Sequence, residues 1–172
     1  MNNIISKFAV GSDESIDQLF LLREEQLKNI YENLLELQEL KNFMKEQLDD
    51  RIVINDLNDI STQLIITFIE DKPVGYIIMK NSYYQPKILA DKKSIRIISF
   101  FILSAYDNTE TRKSLWQKCF SVTKSYNHWI ELPQDDPSVA FLEKCEFKTI
   151  EQSEMKPFNV PSNIMVRLHA KP

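Results

Sequence analysis

The stretch from Ser94 to Phe147 constrains the fold more than any other part of the chain. It opens on an apolar run, Ile95-Arg96-Ile97-Ile98-Ser99-Phe100-Phe101-Ile102-Leu103, read as a strand. A polar loop, Ser104 to Thr111, follows, and Arg112-Lys113-Ser114-Leu115-Trp116-Gln117-Lys118-Cys119-Phe120 opens a helix. Trp129-Ile130-Glu131-Leu132 is a short second strand, and Ser138 to Lys144 a second helix that closes on Glu146-Phe147. Strand, loop, helix, parallel strand, helix is a layout that presents backbone amides at a helix start, where a nucleotide-like cofactor can be held.

With 172 residues and 43% apolar content, residues 1–172 make a single domain able to bury a real core. Lys, Glu or Asp interrupts every apolar run before the roughly 18–20 residues that a membrane span needs. Met1-Asn2-Asn3-Ile4-Ile5-Ser6-Lys7 lacks the basic and apolar regions of a secretory signal. Cys119 and Cys145 lie far apart without a CxxC neighbour, so buried thiols in a reducing cytoplasm are expected rather than a disulfide or a metal site. Charge is unevenly divided: residues 1–71 carry 6 Lys/Arg against 15 Asp/Glu, and residues 72–172 carry 15 against 10. A basic half suits an anionic cofactor and an acidic half a cationic acceptor, while two ordinary solvated faces would look the same. No basic run interleaved with aromatics points to nucleic acid.

Residues 3–10 read as a first strand ended by Gly11, with Ser12 and Asp13 as N-cap oxygens for a helix. Apolar spacing of three to four continues from Ile16 to Leu48. One helix of that length would run about 50 Å, too long for this domain. Two helices are therefore expected, with a break near Arg23–Gln26 or at Asn33. Thr62 to Ile69 and Val74 to Met79 form a hairpin around a turn at Glu70-Asp71-Lys72-Pro73. Gly75, inside the return strand, suggests a bulge or a close backbone approach. Lys148 to Gln152 and Asn163 to Leu168 are the last strands.

In this order the elements resemble the GNAT acetyltransferase superfamily over nearly the whole chain. The resemblance is carried by Ile69-Glu70-Asp71-Lys72-Pro73-Val74-Gly75-Tyr76, by the stretch above, and by Ser138-Val139-Ala140-Phe141-Leu142-Glu143-Lys144-Cys145-Glu146-Phe147. It implies an α/β fold with a mixed, mostly antiparallel sheet of six to seven strands flanked by helices and splayed into a V between strands four and five. It also implies acetyl-CoA as co-substrate and a small-molecule or peptide amine as acceptor, with a homodimer reasonable; by composition neither nucleic acid nor membrane is expected as partner. The backbone of Phe101, Ile102 and Leu103 would then hold the pantetheine arm. Asn108, Thr109, Thr111, Arg112, Lys113 and Ser114 would surround the diphosphate at the positive end of a helix.

The family pattern Arg/Gln-x-x-Gly-x-Gly/Ala falls on Asn108 to Lys113, where Thr111 and Lys113 replace the small residues. Leu142 stands where a Tyr often protonates the leaving thiolate, Glu146 replaces a Gly, and Asp135 takes the place of an Asn after the fifth strand. Residues 94–103 contain no carboxylate. Tyr83, Tyr84, Tyr106, Glu131 and His128 are candidate proton carriers, each with an ordinary structural role as its competing reading, and no catalytic residue is assigned. An active acetyltransferase, a lapsed GNAT-fold domain binding a CoA species or a protein, and an unrelated interaction module remain open.

Overall fold

Apolar character is densest in the central hairpin, and the sheet grows outward from it. In the computed structural model, which describes residues 3–82 and 84–170, β2 (Thr62–Ile69) pairs antiparallel with β3 (Lys72–Lys80). Leu64 to Ile69 and Val74 to Met79 are all buried, so both faces of this pair are covered. The turn is tighter than the sequence suggests. Glu70 and Asp71 alone make it, at φ 49° and 65°, the left-handed pair that suits a twisted hairpin. Pro73 lies within β3, where its missing N–H is tolerated because pairing with the next strand begins at Gly75.

Thr67 faces Gly75 and Phe68 faces Pro73, so Val74 is the extra residue of a β-bulge. The close approach expected at Gly75 is present. A Cβ there would sit 2.7 Å from the Phe101 carbonyl oxygen and 2.9 Å from Ile102 Cγ1.

The other strands extend the sheet on either side. They are β1 (Ile4–Ala9), β4 (Ser94–Ile102), β5 (Asn127–Pro133), β6 (Lys148–Met155) and β7 (Val160–Arg167), and the sheet order is β1-β2-β3-β4-β5-β7-β6. The β4–β5 pair is parallel and every other pair antiparallel. Parallel neighbours need a crossover, and the helix α4 (Thr109–Val122) supplies it. A short helix, α5 (Val139–Lys144), follows β5.

Three helices, not two, connect β1 to β2: α1 (Asp13–Tyr31), α2 (Leu37–Gln47) and α3 (Asp50–Asn58). The break at Asn33 is present and the one at Arg23–Gln26 is not. A second break follows Leu48, because the Asp49 carboxylate accepts from the amides of Arg51 and Ile52 and so starts a new helix. Leu19, Leu22 and Val53 cover one face of the sheet. Leu115, Trp116, Cys119 and Leu142 cover the other. At its far end α1 meets α2 and the β6–β7 turn through Tyr31, Phe43 and Phe158, whose rings sit edge to face at 5.0–5.5 Å. Cys119 is buried and Cys145, expected to be buried, is half-exposed; both are free thiols. No helix among the described residues is long and apolar enough to cross a membrane.

Replacing Gly75 by Ala forces β3 away from β4. The expected loss is about 1–3 kcal/mol of stability, read as a lower urea midpoint at unchanged slope.

Candidate active site

Pairing between β4 and β5 runs from Ser94↔Asn127 to Ile97↔Ile130 and ends there, although β4 continues to Ile102 and β5 to Pro133. Each strand stays with its other neighbour: β4 pairs with β3 up to Ile102, and β5 with β7 up to Pro133↔Ser162. The two strands therefore splay. On the β4 side, Leu103 donates its N–H to the Val74 carbonyl at 2.8 Å. By the two-residue alternation of an antiparallel ladder, Phe100 and Ile102 then turn their backbone groups toward the opening.

A cleft of about 420 Å³ occupies the splay. Phe100, Phe101 and Ile102 form its floor, Gln26 and Asn29 of α1 with Asn33 just past its end one wall, and Pro133 to Ser138 the opposite wall. Val160 and Pro161 of β7 close one end, and Ser104 with Asp107 the other. Three carboxylates therefore line it, those of Asp107, Asp135 and Asp136. The Asp107 carboxylate is held by Arg112 in a two-pronged ion pair at 2.5 and 2.6 Å. The Asp136 carboxylate accepts the Ser138 amide at 2.7 Å. Burial pushes its pKa up, against the pull of that bond and of Arg112.

The sequence-predicted residues divide between the cleft and its surroundings. Phe101 and Ile102 line it, while Leu103 has its N–H committed to β3. Asn108 to Ser114 are not a loop, because α4 begins at Thr109 rather than Arg112 and Asn108 is its cap. The Asn108 amide oxygen accepts from the N–H and the hydroxyl of Thr111 at 3.0 and 3.2 Å. Thr111 is buried. Lys113 and Ser114 face the β1 side, where the Ser114 hydroxyl bonds Ser6 at 2.8 Å. Asp135 lies on the cleft wall, as its place after the fifth strand implies.

The candidate proton carriers lie elsewhere. Tyr84 rests edge-on against Trp129, Tyr106 bonds the Lys72 ammonium at 3.0 Å, and Glu131 accepts from the Ser162 hydroxyl at 2.7 Å. Tyr83 lies outside the described residues. His128 lies inside β5, fully buried beside Trp116 and Phe147, with Nε2 2.7 Å from the Thr123 hydroxyl. Leu142, at the Tyr position of the family pattern, is buried in the core and supplies no acid.

Gln26, Asn29, Asn33, Asp107 and Asp136 were not anticipated as cleft residues. Gln26, Asn29 and Asn33 carried a signal, as polar residues at helical spacing within an apolar pattern. The buried Tyr76 hydroxyl donates to the Gln26 side chain and fixes it.

Burial, then the Arg167 and His169 charges, lower the His128 pKa to about 4 from 6.5. The unfolded chain thus takes up a proton below about pH 6.5 that the folded chain refuses until about pH 4. Stability present above the first value is lost toward the second, by roughly 3 kcal/mol. A His128→Phe variant should lose less stability than the parent across that window in denaturant titrations at stepped pH.

No family model matches the chain, and no curated protein matches it in sequence. Solved structures do match it along nearly all of its length. The PaiA N-acetyltransferase from Thermoplasma acidophilum, in complex with coenzyme A, is similar at a TM-score of 0.71 and 13% identity, over 94% of this chain and 98% of that one. A histone acetyltransferase and related acetyltransferase from Corynebacterium glutamicum gives 0.73 at 9% identity, over 100% and 99%. A GNAT-family protein from Desulfovibrio desulfuricans gives 0.63 at 10% identity, over 97% and 99%. The seven-stranded sheet, its one parallel pair and the splay beyond Ile97 give this chain the fold of the GNAT acetyltransferases.

Proposed function

We propose that the chain is an N-acetyltransferase that moves an acetyl group from acetyl-CoA to a primary amine by direct transfer. One observation carries this reading: the splayed strands leave an open backbone edge on β4, and it faces a cleft whose titratable side chains, among the described residues, are all carboxylates. The open edge at Phe100 and Ile102 fits the amide-bearing arm of a CoA thioester, which can pair with backbone groups as a strand does. The diphosphate end fits less well. The first amides of α4, at Thr109 and Glu110, have no intrahelical acceptor and are free to meet an anion. Asn108 takes the Thr111 amide, however, and Asp107 neutralises Arg112.

Acetyl-CoA supplies the activated acyl group, and the chain supplies position and charge. Gln26, Asn29 and Asn33 offer amide donors and acceptors to a polar acceptor. Asp135 and Asp136 favour one that arrives as a cation, and the acidic N-terminal half adds to the attraction. A polyamine, an amino sugar or a lysine-like amine has this chemistry.

The Asp107–Arg112 pair and the buried Leu142 favour a second reading, a GNAT-fold domain that binds a CoA species or a protein without turnover. Calorimetric titration with acetyl-CoA and CoA, followed by an acetyl-transfer assay, separates the two. Binding with transfer supports the enzyme, and binding without transfer to any amine supports the second. No heat at millimolar ligand removes both CoA-based readings. An Asp107→Asn variant releases the Arg112 guanidinium, so its dissociation constant for CoA should fall about fivefold, with a steeper dependence on salt.

A further inference from the structure

We infer that Asp136 is the general base of the transfer, taking the proton from the acceptor ammonium inside the cleft. This rests on the acetyltransferase reading above. β4 brings no carboxylate to the cleft, and among the described residues its titratable lining consists of Asp107, Asp135 and Asp136. Asp107 is excluded, because both its oxygens are engaged by Arg112. Asp135 is exposed at the rim, where water solvates its charge. Asp136 is half-buried, and the Ser138 amide fixes its carboxylate, leaving lone pairs for a proton.

The charged groups acting on Asp136 are Arg112 and Asp107, which oppose each other. The α1 wall brings amides and apolar side chains and the β7 wall apolar ones, so neither adds a charge. Burial therefore decides, and it raises the basicity of the carboxylate.

The step balances. The Asp136 carboxylate removes one proton from R–NH₃⁺, and the nitrogen lone pair forms the N–C bond at the thioester carbonyl. The C–S bond breaks with its electrons on sulfur, and the thiolate takes the second nitrogen proton to become the free thiol. Asp136 returns its own proton to water. No acid is needed at Leu142, because the attacking nitrogen supplies the proton that the thiolate takes.

The test uses Asp136→Asn, whose amide oxygen still accepts the Ser138 N–H, with Asp136→Ser as a second variant that keeps an oxygen acceptor for it. Transfer from acetyl-CoA to spermidine, glucosamine and Nα-acetyl-lysine is followed as kcat/KM from about pH 6 to 9.5. The wild-type profile should be flat between the Asp136 pKa and that of the amine. Asp136→Asn should fall about 100-fold near pH 7 and then climb tenfold per pH unit, closing the gap as the amine deprotonates by itself. Asp136→Glu should restore the flat profile in part. Asp135→Asn should raise KM and keep the profile flat. A uniform deficit at all pH values, an unimpaired Asp136→Asn, or the climbing profile in Asp135→Asn instead would each overturn the assignment of Asp136 alone. Acetyl-CoA binding without transfer to any of the three amines by the wild type would remove the transferase reading and this role together.

Discussion

The molecule depends on a ladder that stops early. Beyond Ile97↔Ile130, β4 and β5 each keep their other partner, so neither can follow the other. Sheets twist, and two strands committed to opposite neighbours diverge as the twist accumulates. Unpaired backbone in a buried sheet costs free energy unless something meets it. Here it lines a cleft, where water or a bound group can satisfy it. Phe100 on β4 stacks on Phe141 of α5 at 6.1 Å and packs the α4–α5 face beneath the opening.

Around this opening the chain departs from the glycine-rich loop of the family it resembles. Asn108 caps α4 internally, and Asp107 holds Arg112, so two of the groups best suited to an anion already have partners. The same choices favour a well-formed helix start and an acidic cleft wall. The cleft thus combines an open backbone edge on β4 with an acidic wall, while the groups best suited to an anion are already engaged.

The fold was legible because its signals are periodic. Alternation marked β2 and β3, Gly75 announced the close approach to Phe101, and the order of elements revealed the parallel pair. The third N-terminal helix was missed because Asp49 acts as a cap inside a continuous apolar pattern, and the pattern alone does not reveal a change of axis. Pro73 misled in the opposite direction, since a proline beside two acidic residues reads as a turn until the neighbouring strand is seen to start beyond it. The site was harder to read. Glu131 and His128 look chemical in sequence, yet the sheet buries His128 among aromatics and gives Glu131 to Ser162. Asp107 and Asp136 come together only when the end of β4 and the end of β5 open onto the same cleft. Their separation in the chain hides that.

The edge-to-face cluster of Tyr31, Phe43 and Phe158 has a mechanical meaning for this cleft. One wall, α1, belongs to the half of the sheet built on β1 to β4, and the other rim belongs to the half built on β5 to β7. The short parallel ladder ties these halves at the base, and the three rings tie them at the lip. The gap is therefore bridged at its base and again at its lip.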